Sequence, residues 1–166
     1  MKAVVEEVEH ELEIQQALDL AKIDPDSISD IPGKGEIIEA YVYDVYDGDT
    51  CSIIYAVEGV RLKTKLRLIG IDTPEKKPSG DLTEELIEAE KAAAEKCKVF
   101  LTEKVGGKVI KVKLMKYGKY AGRTLGHVYD SDGNDISEMM IELGYAKEYN
   151  GAKKEPWTLE QLNNIK

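Results

Sequence analysis

The chain has 166 residues, 42% of them hydrophobic and 33% charged, with a formal net charge of −9. That length suits one domain with a real core, and no apolar run approaches the roughly 20 residues of a membrane span, so no membrane partner is expected. Two cysteines, Cys51 and Cys97, do not make a disulfide framework, and the scarcity of histidine (His10 and His127) disfavours zinc hydrolase chemistry and leaves any metal to oxygen ligands.

The charge is unevenly spread. Residues 1–36 hold ten acids against Lys2, Lys22 and Lys34, a net of −7, whereas the remaining 130 residues hold 22 acids and 20 bases. The acidity that would repel a phosphate polymer therefore belongs mainly to the N-terminal segment. The opening Met1-Lys2-Ala3-Val4-Val5-Glu6-Glu7 turns acidic where a secretory leader needs an apolar stretch. A soluble, cytoplasmic protein is the expectation, with an extracellular one left open for a chain whose leader has been trimmed.

Taken in chain order, residues 3–22 combine helix formers with apolar residues at roughly helical spacing, among them Val4, Val5, Val8, Leu12, Leu18 and Ala21. Breaks at Asp24-Pro25-Asp26 and Ile31-Pro32-Gly33 set this helix apart as an acidic extension and linker over residues 1–35, with the main domain over 36–166. From Ile37 the period changes to two. Ile37–Tyr46, Thr50–Val57 and Arg61–Ile71 read as three strands in a meander, joined by turns at Asp47-Gly48-Asp49 and Glu58-Gly59. Asp81 with Glu84 resembles a capping box, and the spacing of Leu86, Ala89, Ala93 and Cys97 predicts a helix over about 82–104 that Gly106-Gly107 ends. Val109–Met115 and Arg123–Tyr129 follow as strands. Asp135 with Glu138 then precedes a short helix stopped by Gly144. Five strands with a long helix after the third is the order of an OB-type barrel, an α+β fold that is mainly β.

Several polar residues stand where chemistry would need them. Asp49 lies at the tip of the first hairpin and Asp72 at the end of the third strand, and acids at strand ends can converge on a hard cation such as Ca²⁺ or Mg²⁺. Glu75, behind the rigid Thr73-Pro74 step, is suited to accept a proton from water. Arg67 sits among Leu66, Leu68 and Ile69 and needs a partner, for which a bound phosphate is one candidate and Asp72 or Glu75 another. Each feature alone has an ordinary explanation as a turn, a cap or an ion pair. Tyr41, Tyr43 and Tyr46 read first as packing on their strand, and Trp157 as a packed C-terminal anchor.

Together, "DGDT" at 47–50, "LRLIGIDTPE" at 66–75 and "GRTLGHVY" at 122–129 resemble the staphylococcal nuclease signature, in the same order and at similar spacing. The resemblance runs from Ile37 to Trp157 and includes "GYAKEY" at 144–149 and "KKEPW" at 153–157. It implies an OB-type five-stranded barrel with three helices and a Ca²⁺-dependent nuclease of weak sequence specificity. DNA or RNA would be the substrate, single strands preferred, with 3′-phosphate products and a monomeric enzyme. The alternative is a catalytically silent OB-fold module that binds nucleic acid or protein.

Carried over by position, the resemblance makes Asp49 and Asp72 ligands of Ca²⁺, with the Thr73 carbonyl as a further ligand and Asp47 beside the metal or reaching it through water. Glu75 becomes the general base, and Arg67 and Arg123 the phosphate clamps. Ala121 reads as a one-residue insertion against the family pattern, which leaves Lys119 and Tyr120 as weaker substrate contacts, in the same class as Lys76, Lys77 and Tyr149.

Overall fold

The computed structural model describes residues 29–118 and 122–166, together with Leu12, Asp19, Lys22 and Asp24. The chain divides into two compact units, Met1–Asp30 and Ile31–Lys166. The helix expected over residues 3–22 lies outside the described residues, apart from Leu12 and Asp19, whose backbone is helical.

The second unit begins with three antiparallel strands, β1 (Ile37–Val45), β2 (Thr50–Val57) and β3 (Val60–Leu68), followed by the two-residue β4 (Ile71–Asp72). Helix α1 (Glu84–Val105), strands β5 (Val109–Tyr117) and β6 (Arg123–Tyr129), helix α2 (Ile136–Glu142), the short β7 (Lys147–Glu148) and helix α3 (Leu159–Asn164) complete it. The five long strands close into a barrel in the order β1-β2-β3-β6-β5. One pair, β3 with β6, is parallel, because α1 and β5 intervene between them in sequence. The expected OB-type barrel with three helices is the observed architecture of this unit.

Alternation explains why these segments close. Ala40, Val42, Ile53, Leu66, Leu68, Val112, Leu114 and Val128 point inward and are buried, with their neighbours in sequence on the outer face. Helix α1 lays Ala93, Cys97, Leu101 and Val105 on this core at the predicted helical spacing. Trp157, Leu162 and Ile165 add the C-terminal part of the core.

Three local expectations are corrected. The third strand does not run on to Ile71: Gly70, at φ +85°, turns the chain after Leu68, and the two residues beyond it pair with β7 instead. Helix α1 is capped by Thr83, whose hydroxyl accepts from Leu86 N at 3.3 Å, and not by Asp81. Gly80, at φ +108°, and the Leu82 N–H bonded to Gly80 O hold Asp81 in a turn ahead of the helix. Finally, Tyr41, Tyr43 and Tyr46 do not pack inward. All three are exposed: Tyr41 and Tyr43 alternate with the inward Ala40 and Val42, and a bulge between Val42 and Asp44 shifts the alternation so that Val45 points in and Tyr46 out.

Candidate active site

The site forms where the β1–β2 turn meets the β3–β4 turn. Both turns carry acids, and α1 supports them from beneath. The first turn is fixed by Thr50 Oγ1 donating to Asp49 Oδ1 at 2.7 Å and by Asp49 N donating to Asp47 Oδ1 at 3.3 Å. Leu68 N donates to the Asp49 carbonyl at 2.8 Å, which ties the hairpin tip to the end of β3. Gly48 permits the close approach: a Cβ there would stand 2.6 Å from Cys97 Cβ on α1 and 3.2 Å from Thr73 Oγ1.

Arg67 joins the two acidic turns. Its Nη2 lies 2.6 Å from Asp49 Oδ2 and 3.9 Å from Asp72 Oδ1, while Nη1 donates to the Leu68 and Ile71 carbonyls at 3.4 and 3.3 Å. Asp49, Asp72 and Thr73 are all buried. Burial pushes the Asp49 carboxyl up to about 7 against the pull of Arg67, and Asp47 adds to the rise.

Glu75 stands at the exposed lip. Its backbone N–H donates at 3.1 Å to Glu90 Oε1, a buried carboxylate on α1, so the helix fixes the main chain that carries the proposed base. Lys154, which no local sequence signal marks as a site residue, completes the group. Lys154 Nζ lies 2.6 Å from Asp72 Oδ1 and 2.5 Å from Glu75 Oε1. Burial alone would lower the Lys154 pKa, but the pairings with Asp72 and Glu75 outweigh it and hold the ammonium above the usual lysine range. The approach to Asp72 is a close ion pair without good hydrogen-bond alignment, so the buried Asp72 Oδ1 has no well-directed donor.

The remaining predicted residues separate into groups. Arg123 lies on β6 directly across from Lys65 of β3, two register positions from Arg67, which faces Leu125. Tyr149 places its ring 6.0 Å from the Arg67 guanidinium and lines the cleft that holds Arg67 and Asp72. Lys76 donates to the Tyr46 carbonyl at 3.1 Å and lies 4.7 Å from the centre of that ring, whereas Lys77 is exposed. Lys119 and Tyr120 lie outside the described residues. Tyr145 stacks on Phe100 at 4.4 Å and belongs to the packing.

The donor set suits a hard divalent cation. Asp49 and Asp72 are buried carboxylates, oxygen donors of the kind a hard cation takes, with Arg67 against both and Lys154 against Asp72, so a bound cation would compete with these two side chains. Among the described residues no three or more His, Cys, Asp or Glu side chains are grouped so as to hold a metal ion by themselves. Two carboxylates and a main-chain carbonyl would leave positions open to water and phosphate, as catalytic metal sites require.

The family model described as "Staphylococcal nuclease homologue" matches residues 65–166. That stretch includes Arg67, Asp72, Glu75, Arg123 and Lys154, while Asp47 and Asp49 precede it. Relatives in Escherichia coli O157:H7 and in Escherichia coli, each called an uncharacterized endonuclease, are 30% identical over 131 residues, covering 76% of this chain. The alignment spans 64% of the length of those relatives.

Proposed function

This chain belongs to the staphylococcal nuclease family, and on that premise we propose that it is a Ca²⁺-dependent nuclease that hydrolyses DNA or RNA with little sequence preference. The observation that carries this reading is the convergence of Asp49, Asp72, Arg67 and Glu75 within one chain of ionic contacts, linked by Arg67 on one side and Lys154 on the other.

Asp49, Asp72 and the Thr73 carbonyl would hold the cation, with Asp47 reaching it through water, and the bound ion would supply Lewis-acid polarisation of the phosphate. Arg67 and Arg123 bind the non-bridging phosphate oxygens, where planar guanidinium forks meet the charge that grows as phosphorus becomes five-coordinate. Glu75, released from Lys154, takes a proton from water as the water oxygen bonds to phosphorus. The P–O5′ bond then breaks, its electron pair stays on O5′, and O5′ takes up a proton. A 3′-phosphate and a 5′-hydroxyl result. Contacts made to phosphate carry little sequence information, and a small barrel face admits a single strand more readily than a rigid duplex.

The test is digestion of heat-denatured DNA and of RNA with Ca²⁺ and with a chelator, with the product ends analysed. Calcium-dependent cutting to 3′-phosphate ends is expected. Folded protein that binds oligonucleotide but never cuts would make the chain a binding module instead.

A further inference from the structure

Strand β3 reads Val60-Arg61-Leu62-Lys63-Thr64-Lys65-Leu66-Arg67-Leu68. Its inner row is Leu62, Thr64, Leu66 and Leu68, so its outer row is four cations in succession: Arg61, Lys63, Lys65 and Arg67. Side chains on one face of a strand repeat every two residues, roughly 6.7 Å. That step is comparable to the spacing of successive phosphates in an extended single strand. Arg61, Lys63 and Lys65 are exposed, and none of them forms an ion pair with a described residue. Arg67, at the far end, enters the acidic site.

The surroundings keep the row positive. On β2 the residues facing Lys65, Lys63 and Arg61 are Ser52, Ile54 and Ala56, all uncharged, and on β6 the residue facing Lys65 is Arg123. A shallow groove beside the row is lined by Tyr43, Tyr46, Lys63, Lys65 and Arg123 among others, and none of the described residues in its lining is a carboxylate. The exposed Tyr46 ring lies 5.8 Å from Lys65 Nζ and 4.7 Å from Lys76 Nζ, so an aromatic face is set among cations. Arg61, Lys63 and Lys65 are three exposed cations in line on one strand face, where they repel one another and no described carboxylate pairs with them. A positive track interleaved with aromatic rings is the usual design for holding single strands: cations follow the backbone and rings stack on bases.

We propose that the outer face of β3, with Tyr43 and Tyr46 of the groove, is a binding track for single-stranded nucleic acid that feeds the strand past Arg123 and Arg67 into the site. The inference rests on the nuclease reading for its destination, although binding to the track requires no cleavage. It makes affinity depend on substrate length, since a fragment confined to the acidic site gains nothing from Arg61 or Lys63.

The experiment measures anisotropy of fluorescein-labelled oligothymidylates of 4 and 16 nucleotides with the full chain, in chelator, at several salt concentrations. Arg61→Gln/Lys63→Gln/Lys65→Gln is expected to weaken 16-mer binding at least tenfold and the 4-mer much less. The slope of log affinity against log salt should shrink by about 2, since each phosphate contact on a single strand contributes about 0.7. Tyr46→Ala is expected to weaken 16-mer binding roughly fivefold. Should the triple variant unfold by circular dichroism, Lys63→Gln and Lys65→Gln singly carry the test, each shrinking the slope by about 0.7. Wild-type affinity and slope in folded variants would overturn the track, as would equal competition by polyglutamate of matched charge, which would mark an acidic protein as the occupant. Failure of the track and failure of the nuclease reading separate cleanly. Cutting without a change in variant affinity removes only the track, and variant-sensitive binding without any cutting removes only the nuclease.

Discussion

Lys154 Nζ and Asp72 Oδ1 lie 2.6 Å apart, which places an ammonium against a buried carboxylate that the proposed cation also needs. The same ammonium holds Glu75 Oε1 at 2.5 Å. One lysine thus occupies both a proposed metal ligand and the proposed base, and cation binding has to displace it. Lys154→Met is expected to bind Ca²⁺ several-fold more tightly by calorimetry. Without Ca²⁺ the variant should be less stable by about 1–2 kcal/mol, less than for a fully buried pair because the lysine side chain is 41% exposed. Addition of Ca²⁺ should then raise its melting temperature more than it raises that of wild type. Unchanged Ca²⁺ affinity would mean that Lys154 does not compete for the site.

Arg67 compensates buried Asp49, and in the proposed reaction it also presents a fork to phosphate. Arg67→Lys keeps the charge and loses the fork. Its expected cost is about 10²–10³-fold in kcat, in the range for removal of one preorganised donor. Stability should fall by about 1–3 kcal/mol as buried groups lose their hydrogen-bond partner. Steady-state kinetics and urea denaturation check the two effects separately.

Gly48 is a packing requirement. With Cys97 Cβ only 2.6 Å from where its own Cβ would lie, Gly48→Ala forces the turn away from α1. A loss of about 1–3 kcal/mol is expected in denaturant unfolding, together with weaker Ca²⁺ binding, because Asp49 moves with the turn. Native stability and Ca²⁺ affinity in the variant would contradict this account of the turn.

Burial pushes both thiols up to about 12, with Asp44 and Asp47 adding to the rise at Cys51 and Asp49 at Cys97. Cys97 Sγ also donates to the Tyr145 carbonyl at 3.2 Å. Both cysteines should resist Ellman's reagent in the native protein at pH 8 and react promptly in guanidinium. A raised thiol pKa means that the folded state keeps protons the unfolded chain releases. The associated stability is therefore whole below about pH 8.5 and is lost as pH climbs toward 12. Fast native labelling would show that these thiols are not sealed in the core.

Much of the barrel was legible in the chain because its signals are local. The two-residue period from Ile37, the glycine-bearing turns and the stripe Ala93, Cys97, Leu101 each follow from residues close in sequence. The β3 break at Gly70 was harder to read, since Ile69 and Ile71 are as apolar as the strand before them, and the pairing that takes up Ile71 and Asp72 beyond the turn is with distant β7. Lys154 was missed for the same reason: it reaches Glu75 across 79 positions, and nothing near it in sequence announces a partner. Glu90 was more accessible. A carboxylate on the apolar stripe between Leu86 and Ala93 needs a buried donor, and the Glu75 N–H is that donor. The cationic alternation of β3 was also plain in Arg61-Leu62-Lys63-Thr64-Lys65-Leu66-Arg67. Its importance emerged only with the register, which places uncharged β2 residues and Arg123 on either side.

The most direct test of the central claim is Glu75→Gln, assayed on heat-denatured DNA with Ca²⁺ beside wild type, with Ca²⁺ binding measured on the same samples. Cutting is expected to fall by about 10²–10⁴-fold, the range for loss of a general base, in a folded protein that still binds the ion. Cutting at the wild-type rate by Glu75→Gln would contradict that claim, and the acids of these two turns would not be the catalytic centre.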